Sequence, residues 1–469
     1  MITLSQYAQE VIILKNEQVL FCGNNEKFLD KELCKDSNEN NGGTAFRIPS
    51  LVNANGVLIA AIDKASSGAD WGYIEVAIRR SEDGGKTWSK IESILVPPAR
   101  ETKIGDEYYT SAFYIDPCMT VAKNGDIVML VTYYPECKGL HNQKLLDKKK
   151  AAYTSVDGKM TPIIYDKEGN FYTVRENGIV YDKKGEKTNY TVKTKTNAPY
   201  YEIGDLYRDK EYMGNIYLNG AMGAKEIEAH LTFGAPLKTP KRSYIFMTKS
   251  SNQGKTWSEP KDITGDILLK SDSTFLGVAP GNGIALKDGR LVFTVYTLRG
   301  GSASIYSDDN GETWKRDTTQ KYIGIPGEWQ CVEAPTGEVI GLSRQNFSGK
   351  TPMAISYNNG VTWEKKKKTK LYACKCQKSF IKYDDTYVLS SHTCKKARKD
   401  GVLSIGKFKT KNGKTTGIKW LKNVKINEGF FAYSSLTVLD NGNVGILYED
   451  SPSSHIVYKE FEKDELFSF

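Results

Sequence analysis

A short polar stretch ending in tryptophan occurs four times in this chain and constrains its fold more than any other feature. The copies share the form Ser-x-Asp/Asn-x-Gly-x-Thr-Trp and read SEDGGKTW from residue 81, SSNQGKTW from 250, SDDNGETW from 307 and SYNNGVTW from 356. The Ser, Asp and Asn side chains can bond nearby backbone, the glycine permits positive φ, and the tryptophan is a large apolar anchor. The pattern predicts hairpin turns that tether a β framework.

The spacing of the copies predicts a propeller. The last three begin 57 and 49 residues apart, which suits one four-stranded blade per copy. Short strand-like runs such as RLVFTVYTL at 290–298 lie between them. A ring of blades also explains how 469 residues can exceed the roughly 250–300 at which a single core stops growing.

The first interval is too long for one blade. Copies one and two are 169 residues apart, which we interpret as one blade plus a sizeable insertion. Residues 139–221 contain short alternating segments with EGN and KKGEK turns, rich in Lys and Tyr, which predict a small β module. The predicted organisation is residues 1–138 as the N-terminal segment and first part of the propeller, 139–221 as an inserted β-rich domain, and 222–469 as the remaining blades.

Composition and charge exclude several classes of protein. Hydrophobic residues make up 39% and aromatic residues 11% of the chain, typical of a globular protein rather than a disordered one. The formal net charge of +9 comes mostly from lysines spread along the chain, which favours a solvated basic surface over a nucleic-acid footprint. We therefore expect no nucleic-acid partner. We also expect no membrane span, because no window of about 18 consecutive apolar residues occurs.

Eight cysteines show no pattern of a structural zinc site. We expect reduced, buried thiols, which mildly favours the cytosol, and neither a metal nor a cofactor. The N-terminus shows no leader, so the protein is expected to be cytoplasmic, or secreted with its leader already removed. Its oligomeric state is expected to be monomeric.

Three arginines stand at unusual places beside apolar strands. Arg47 lies within AFRIPSLV, Arg344 ends EVIGLSR, and Arg398 precedes the strand in KKARKDGVLSIG. An unpaired guanidinium in such a setting is costly to desolvate, so each needs an anionic partner. Singly, each is explained by a structural ion pair. Together they indicate a shared carboxylate, which arginine grips with two parallel charge-assisted bonds.

The ordered set of motifs resembles the exo-α-sialidases, or neuraminidases, with Asp-box repeats. It comprises FRIPSLV, Asp70 in ADWGYIEVAIRRSEDGGKTW, the four boxes, EWQCVEAPTGEVIGLSR and FFAYSSLTVLDNGNVGILYE, spanning about residues 44 to 460. The resemblance implies an all-β, six-bladed β-propeller with a small inserted β domain, as in some bacterial sialidases. The chain departs from many relatives in having Ala65 two residues after Asp63, where they carry an arginine.

The resemblance also implies the roles of individual residues. Arg47, Arg344 and Arg398 correspond to an arginine triad that holds the carboxylate of sialic acid. Tyr433 corresponds to the nucleophile, Glu328 to its partner base, and Asp70 to the acid/base. Without the resemblance, Tyr433 is one of 28 tyrosines and reads as a core residue, Glu328 as an edge carboxylate, and Asp70 as a turn residue.

These roles agree with physical chemistry. A sialoside carries a carboxylate on its anomeric carbon, so a carboxylate nucleophile would approach against like charge, whereas tyrosine is neutral; sialidases are a known exception to the two-carboxylate scheme. A phenol with a pKa near 10 needs a base such as Glu328 as it attacks. Asp70 must be protonated to donate to the leaving oxygen, and it then activates water, giving retention.

The expected function is hydrolysis of terminal sialic acid from sialylated glycans, glycoproteins or glycolipids through a tyrosyl-enzyme intermediate. Two alternatives remain open. One is an intramolecular or intermolecular trans-sialidase, which differs in how the pocket controls water and acceptor. The other is a sialoglycan-binding propeller without catalysis, which would need only the arginines.

Overall fold

The computed structural model describes residues 17–23, 45–99, 103–104, 107–108, 111–218, 235–297, 301–345, 347, 349–394, 396–452 and 455–468. Strands dominate these ranges, and none of their helices has the length and apolar character to cross a membrane. The helices are Gly139–Leu145, Glu176–Gly178, Thr264–Ile267, Lys270–Asp272 and Lys463–Phe467. The N-terminal residues on which the leader prediction depends lie outside the described ranges.

The strands form a six-bladed β-propeller, which confirms the predicted fold. Blade 1 comprises Ala45–Ala54, Val57–Ala65, Ile74–Ser81 and Glu92–Leu95. Blade 2 comprises Phe113–Val121, Ile127–Tyr134, Tyr244–Ser250 and Lys261–Asp262. Blade 3 comprises Leu276–Val278 together with Ile284–Ala285, then Leu291–Thr297 and Ser302–Ser307. Blade 4 comprises Trp329–Glu333, Val339–Ser343, Met353–Ser356 and Glu364–Lys366. Blade 5 comprises Ser379–Lys382, Tyr387–His392, Val402–Lys411 and Lys414–Lys425. Blade 6 comprises Ser434–Val438, Val444–Glu449, His455–Phe461 and Glu17–Cys22. Short strands outside this scheme are Gly281–Asn282, paired with the first strand of blade 2, Lys103–Ile104 with Glu107–Tyr108, and Gly349–Lys350 with Tyr372–Ala373.

The two ends of the chain complete blade 6 together. Strand Glu17–Cys22 pairs antiparallel with His455–Phe461, so the ring is closed by backbone hydrogen bonds between its first and last strands. Cys22, at the end of this strand, is disulfide-bonded. The expectation of reduced thiols is therefore wrong for Cys22. The spacing of cysteines along the sequence does not show which of them come together in the fold. The thiols therefore no longer support a cytosolic setting. The free thiols of the described chain are Cys118, Cys137, Cys331, Cys374, Cys376 and Cys394.

Buried and half-buried polar side chains join the innermost strands around the propeller axis. The Asn282 amide donates to the carbonyls of Leu51, in blade 1, and Leu436, in blade 6, at 3.0 and 3.1 Å. The Gln377 amide reaches the carbonyls of Pro280 and Ser434 at 3.3 and 3.0 Å. An innermost strand has an unpaired edge facing the axis, and buried backbone groups need partners. These contacts satisfy that edge and fix neighbouring blades relative to one another.

The repeated turn connects the third and fourth strands of blades 1, 2 and 4 and follows the third strand of blade 3. In the blade 3 copy, Ser307 Oγ accepts from Gly311 N at 2.8 Å, and Asp309 Oδ1 accepts from Thr313 N at 2.8 Å. Gly311 has φ of +89°, and Trp314 is buried and donates to the Gly311 carbonyl at 3.2 Å. Each box is thus a local network with an apolar anchor.

Two copies carry asparagine in place of aspartate, and the turn is unchanged. Asn252 Oδ1 accepts from Thr256 N at 2.9 Å, and Asn358 Oδ1 accepts from Thr362 N at 2.9 Å. The amide oxygen therefore replaces the carboxylate oxygen at the same backbone donor.

Replacing Asp309 with alanine is expected to destabilise blade 3 by about 1–3 kcal/mol, because the backbone and hydroxyl of Thr313 lose their acceptor. Asp309→Asn is the matched control, since the protein itself uses asparagine at two boxes, and it should lose less than half as much. Chemical denaturation measures both free energies of unfolding. Equal losses would contradict this account of the turn.

A seven-stranded antiparallel sheet lies between the second and third strands of blade 2. Its strands are Tyr153–Val156, Lys159–Tyr165, Phe171–Val174, Ile179–Tyr181, Lys187–Val192, Asp205–Arg208 and Glu211–Asn215. It has a small apolar core that includes Ile164, Val180 and Leu206. The domain boundaries at 139 and 221 stay a prediction, and residues 219–221 lie outside the described part of the chain.

Candidate active site

All six residues predicted for the site lie at the same end of the propeller. Tyr433 and Glu328 immediately precede the first strands of blades 6 and 4, and Arg344 immediately follows the second strand of blade 4. The boxes follow the third strands, which run parallel to the first and end at the opposite side of the disc. The repeated turns therefore lie at the far end from the candidate site.

Tyr433, Glu328 and Arg344 form a closed group. The Tyr433 hydroxyl donates to Glu328 Oε1 at 2.8 Å and accepts from Arg344 at 2.9 Å. Arg344 also forms an ion pair with Glu328 Oε2. Burial, opposed by the charge of Arg344, raises the pKa of Tyr433 well above its usual value. The phenol is neutral in this state, and its proton points at a carboxylate that can accept it.

Arg47 is held between two carboxylates. It forms an ion pair with Asp70, and its Nε lies 3.6 Å from Oε1 of Glu449. Glu449 is the last residue of the second strand of blade 6, is buried, and also accepts from the backbone of Ile48 at 3.0 Å. Glu449 therefore orients Arg47 from the buried side, away from the cavity. The side chain of Asp70 is 44% exposed and contacts Arg47 from the cavity side.

The three arginines surround the ring of Tyr433. The guanidinium carbons of Arg47 and Arg398 lie 6.0 and 5.5 Å from the ring centroid, while Arg344 contacts the hydroxyl. One cavity of about 470 Å³ is lined by all three arginines and by Tyr433, Glu328 and Asp70. The structure thus brings all six residues together, and their individual roles stay predictions.

The charge state of Asp70 differs from that needed for an acid. Burial would raise its pKa, but the charge and hydrogen bond of Arg47, together with His141, hold the pKa below its usual value. His141 Nε2 lies 3.4 Å from Asp70 Oδ2. In the ligand-free structure Asp70 is therefore a carboxylate.

Two β-bulges aim side chains into the site. In the innermost strands of blades 1 and 2, the register shifts between Arg47 and Ser50 and between Ile115 and Cys118. At each bulge the residue before a proline has positive φ: Ile48 at +60° and Asp116 at +66°. Such conformations are costly for a side chain and cluster at functional sites. The bulges point Arg47 and Asp116 toward the cavity side of their blades.

Sequence reasoning missed several acidic residues of the site. Asp116 lines an adjoining recess of about 80 Å³ together with the apolar side chains of Ile115, Leu140 and Phe275. Burial and nearby carboxylates raise the pKa values of both Asp63 and Asp116. The sequence feature that could have indicated such residues is the position of a charged side chain near the end of an apolar strand. Asp63 lies two residues before the end of an apolar second strand, Glu449 at the end of another and Arg344 just after a third, and only the arginine was selected.

Lys378 is buried directly behind Arg344. Its Nζ donates to the carbonyl of Ser343 at 3.0 Å and to Oε1 of Gln345 at 3.1 Å, so it holds the residues on either side of Arg344. Burial lowers the pKa of Lys378 to about 7 from 10.5. A neutral amine has two protons to donate, which matches its two acceptors.

This burial predicts a pH dependence of stability. Between pH 7 and 10.5 the unfolded chain binds a proton on Lys378 that the folded chain does not, so this group makes the protein more stable as pH rises. Relative to Lys378→Met, the wild-type free energy of unfolding should increase by about 1–2 kcal/mol between pH 7.5 and 9. Denaturant titrations at both pH values measure it. A constant difference would show that Lys378 is charged in the fold.

No group of three or more His, Cys, Asp or Glu residues in the described chain could hold a metal ion. A larger cavity, about 870 Å³, lies between the inserted sheet and blade 2. Its lining mixes basic and acidic residues, for example Lys261 beside Asp262. It lacks the convergence of arginines and carboxylates on one phenol, so we assign the chemistry to the smaller cavity.

Comparison with known proteins agrees with this geometry. The sequence profile of the BNR repeat-like domain matches residues 207–446. The chain belongs to the BNR repeat-like family. Its relatives in this family include sialidase B of Streptococcus pneumoniae serotype 4, 28% identical over 451 residues, which are 89% of this chain and 63% of the relative. The resemblance predicted from the sequence is thereby confirmed.

Two further relatives bear on the chemistry. The chain is 27% identical over 472 residues to the anhydrosialidase of Macrobdella decora, covering 90% of this chain and 60% of the relative. The crystal structure of the intramolecular trans-sialidase from Ruminococcus gnavus, solved with oseltamivir carboxylate, superposes with a TM-score of 0.76 at 25% identity, covering 92% of this chain and 97% of that one. This BNR repeat-like chain spans about 60% of the length of the curated relatives it matches.

Proposed function

We propose that this protein is a sialidase that cleaves terminal α-linked sialic acid from glycoconjugates through a tyrosyl-enzyme intermediate. The observation that carries the proposal is the convergence of three arginines on a tyrosine whose hydroxyl is bonded to a buried glutamate. The names of its relatives support the same class of substrate.

The arginines suit an anionic sugar. Arg47 and Arg398 lie against the ring of Tyr433 and Arg344 contacts its hydroxyl. Arginine binds a carboxylate with two parallel hydrogen bonds. A carboxylate placed between the three guanidinium groups would lie beside the Tyr433 hydroxyl. In a sialoside the carboxylate is attached to the anomeric carbon, so this placement brings the reacting carbon next to the phenol oxygen.

Tyr433 and Glu328 supply the first chemical step. As the phenol oxygen attacks the anomeric carbon, Glu328 takes the phenol proton and the bond to the leaving oxygen breaks. Arg344 touches both residues and so holds the phenol at the carboxylate that receives its proton. A neutral nucleophile avoids the repulsion that a carboxylate would meet at this substrate.

Asp70 becomes an acid only when substrate binds. Its pKa is held low chiefly by Arg47, against the effect of burial. The substrate carboxylate competes with Asp70 for Arg47, and losing that partner removes the main stabilisation of the charged form. Burial by the sugar then raises the pKa further. Asp70 is thereby able to protonate the leaving oxygen and afterwards to deprotonate the attacking group.

Asp70→Asn is expected to separate substrates by leaving group. An aryl sialoside has a leaving group stable as an anion and needs little protonation, whereas a sialyl-galactoside leaves as an alkoxide. We expect kcat/KM to fall by about 100-fold for sialyllactose and by less than about 10-fold for 4-methylumbelliferyl sialoside. Steady-state kinetics on the two substrates measures the ratio. Equal losses on both would remove Asp70 from the role of acid.

A second candidate is an intramolecular trans-sialidase, in which a hydroxyl of the bound sugar attacks the intermediate in place of water. The coverage of nearly the whole R. gnavus trans-sialidase chain and the likeness to an anhydrosialidase favour it. Both candidates share the first step and differ only in what breaks the tyrosyl bond.

Product analysis distinguishes the two candidates. The protein is incubated with 3′-sialyllactose and the products are followed by proton NMR. Free sialic acid supports the hydrolase, and an anhydro sugar supports the intramolecular enzyme. Binding of sialyllactose without any product would identify a sialoglycan-binding propeller and overturn the proposed activity.

A further inference from the structure

The net positive charge of the protein is concentrated in one part of the chain. Residues 364–428 contain 19 Lys and Arg and 5 Asp and Glu, a net charge of +14, against +9 for the whole chain. The remaining residues therefore carry a net charge of −5. Lysines occur along the whole chain, but their excess over acidic residues comes from this segment, and blade 5 carries much of it.

The centre of this charge is a long hairpin that stands where blades 1–4 have the repeated turn. In blade 5 the third and fourth strands, Val402–Lys411 and Lys414–Lys425, continue as a two-stranded ribbon and have no Asp-box between them. Seven lysines and no acidic residue lie in residues 402–425. We call this segment the basic ribbon.

The ribbon is fixed to the propeller by its inner face. Phe408, Ile418 and Trp420 pack against an apolar cluster formed mainly by blade 4, with Phe380 and Val388 of blade 5. Near the tip, the backbone of Thr415 donates to Oε2 of buried Glu338 at 3.0 Å. The ribbon is therefore a firmly mounted element, and its lysines project from a rigid support.

The outer face places like charges opposite one another. Lys407 pairs directly with Lys419, and Lys411 with Lys414. Like charges directly opposite each other in an antiparallel pair are destabilising. Lys409, between them, is also exposed. The ribbon contains no carboxylate to offset these charges. Lys407 and Lys414 lie 5.2 and 5.7 Å from the ring centroids of Tyr387 and Tyr357, which offsets part of the repulsion, and an external anion would offset more of it.

The shape of the ribbon selects the kind of anion. Alternate residues of a strand point to the same face and are about 6.8 Å apart, so Lys407, Lys409 and Lys411 form a row along one face of the ribbon. Membrane-surface elements add several apolar side chains that insert, but Leu421 is the one exposed large apolar residue of the ribbon. Nucleic-acid surfaces use arginine forks and stacking aromatic rings, whereas the ribbon has no arginine and its Phe408 and Trp420 face blade 4.

We propose that the basic ribbon is a binding surface for linear anionic glycans bearing carboxylate or sulfate groups, separate from the catalytic cavity. Arg398 lies four residues before the third strand of blade 5, at the cavity end, and the ribbon runs from there to the opposite end of the disc. A polymer bound along the ribbon leaves the cavity open. The surface does not depend on the proposed sialidase activity, because it recognises chain charge and not a terminal sugar.

The test uses chondroitin sulfate fragments, which carry both anionic groups and no sialic acid. Binding of the full chain is measured by calorimetry from 50 to 300 mM NaCl. The triple variant K409Q/K411Q/K419Q is compared with K183Q/K184Q/K187Q, which removes the same charge from exposed lysines of the inserted sheet. We expect the ribbon variant to bind at least about tenfold more weakly with a shallower salt dependence, and the control to bind within twofold of wild type.

Further measurements separate the proposal from loss of folding. The ribbon variant should melt at the same or a higher temperature, because like-charge pairs are relieved, and should cleave a small aryl sialoside as wild type does. If it melts lower, K409R/K411R/K419R, which keeps the charge, must retain binding; loss of binding there overturns the proposal. Equal weakening of both glutamine triples, no binding at 150 mM NaCl, or stronger binding to duplex DNA or to phosphatidylserine vesicles than to chondroitin sulfate also overturns it.

Discussion

Tyr433→Phe is expected to lower kcat for 4-methylumbelliferyl sialoside by at least about 10⁴-fold, the scale of loss when an enzymatic nucleophile is removed. The ring stays in place between the guanidinium groups of Arg47 and Arg398, so binding of the sugar should change little. The change deletes one oxygen, which in the structure donates to Glu328. Continuous fluorescence of the released umbelliferone measures the rate.

Tyr458→Phe is the matched control for this change. Tyr458 lies in the same blade, and its buried hydroxyl has no hydrogen-bond partner within the described chain. Removing that hydroxyl should leave both activity and stability near wild type. Residual activity of Tyr433→Phe above a tenth of wild type would show that another group attacks the sugar.

Arg344→Lys is expected to have the second largest effect. Arg344 binds Glu328 and the Tyr433 hydroxyl from one side and faces the cavity with the other. A lysine keeps the charge but has no planar fork, so it cannot make these contacts together. Truncating one partner of a buried, hydrogen-bonded charge pair costs about 2–5 kcal/mol, which corresponds to a loss in kcat/KM of about 30-fold to several thousand-fold.

Both kinetic constants should respond to Arg344→Lys. KM should rise because the sugar carboxylate loses one of three arginines, and kcat should fall because the phenol is no longer held at its base. Arg290→Lys is the control, since Arg290 pairs with Asp308 at the box end of blade 3. A change in KM alone would mean that Arg344 binds substrate without positioning Tyr433.

The propeller architecture could be predicted from the sequence because the turn motif that marks a blade occurs four times. Four copies of one turn give the blade spacing, and each copy carries its own hydrogen-bond network and tryptophan anchor. The third and fourth strands of blade 5 could not be found this way, because their connection lacks the motif. The role of the Glu17–Cys22 strand in blade 6 was also missed, since it pairs with residues more than 400 positions away.

The site was predictable only in part. Arg47 and Arg344 stood out because a charge beside an apolar strand needs an explanation. Glu449 has the same kind of position but was not selected, although it holds Arg47 in place. Asp116 could not be predicted from the sequence, because the direction of its side chain depends on a β-bulge. The bulge is a shift in strand register between Ile115 and Cys118. The low pKa of Asp70 depends on a contact with Arg47 across 23 residues, which no local pattern reveals.

The central claim is that the phenol oxygen of Tyr433 forms a covalent bond to the sugar. A 3-fluorosialosyl fluoride tests it. The fluorine at C3 slows both formation and breakdown of the intermediate, whereas the good fluoride leaving group speeds formation alone, so the intermediate accumulates. After incubation the protein is denatured, digested and examined by mass spectrometry. The account predicts one fluorosialosyl group on the peptide that contains Tyr433, and none in Tyr433→Phe. Attachment to Glu328 or Asp70, or turnover of the probe with no adduct on Tyr433, would contradict it.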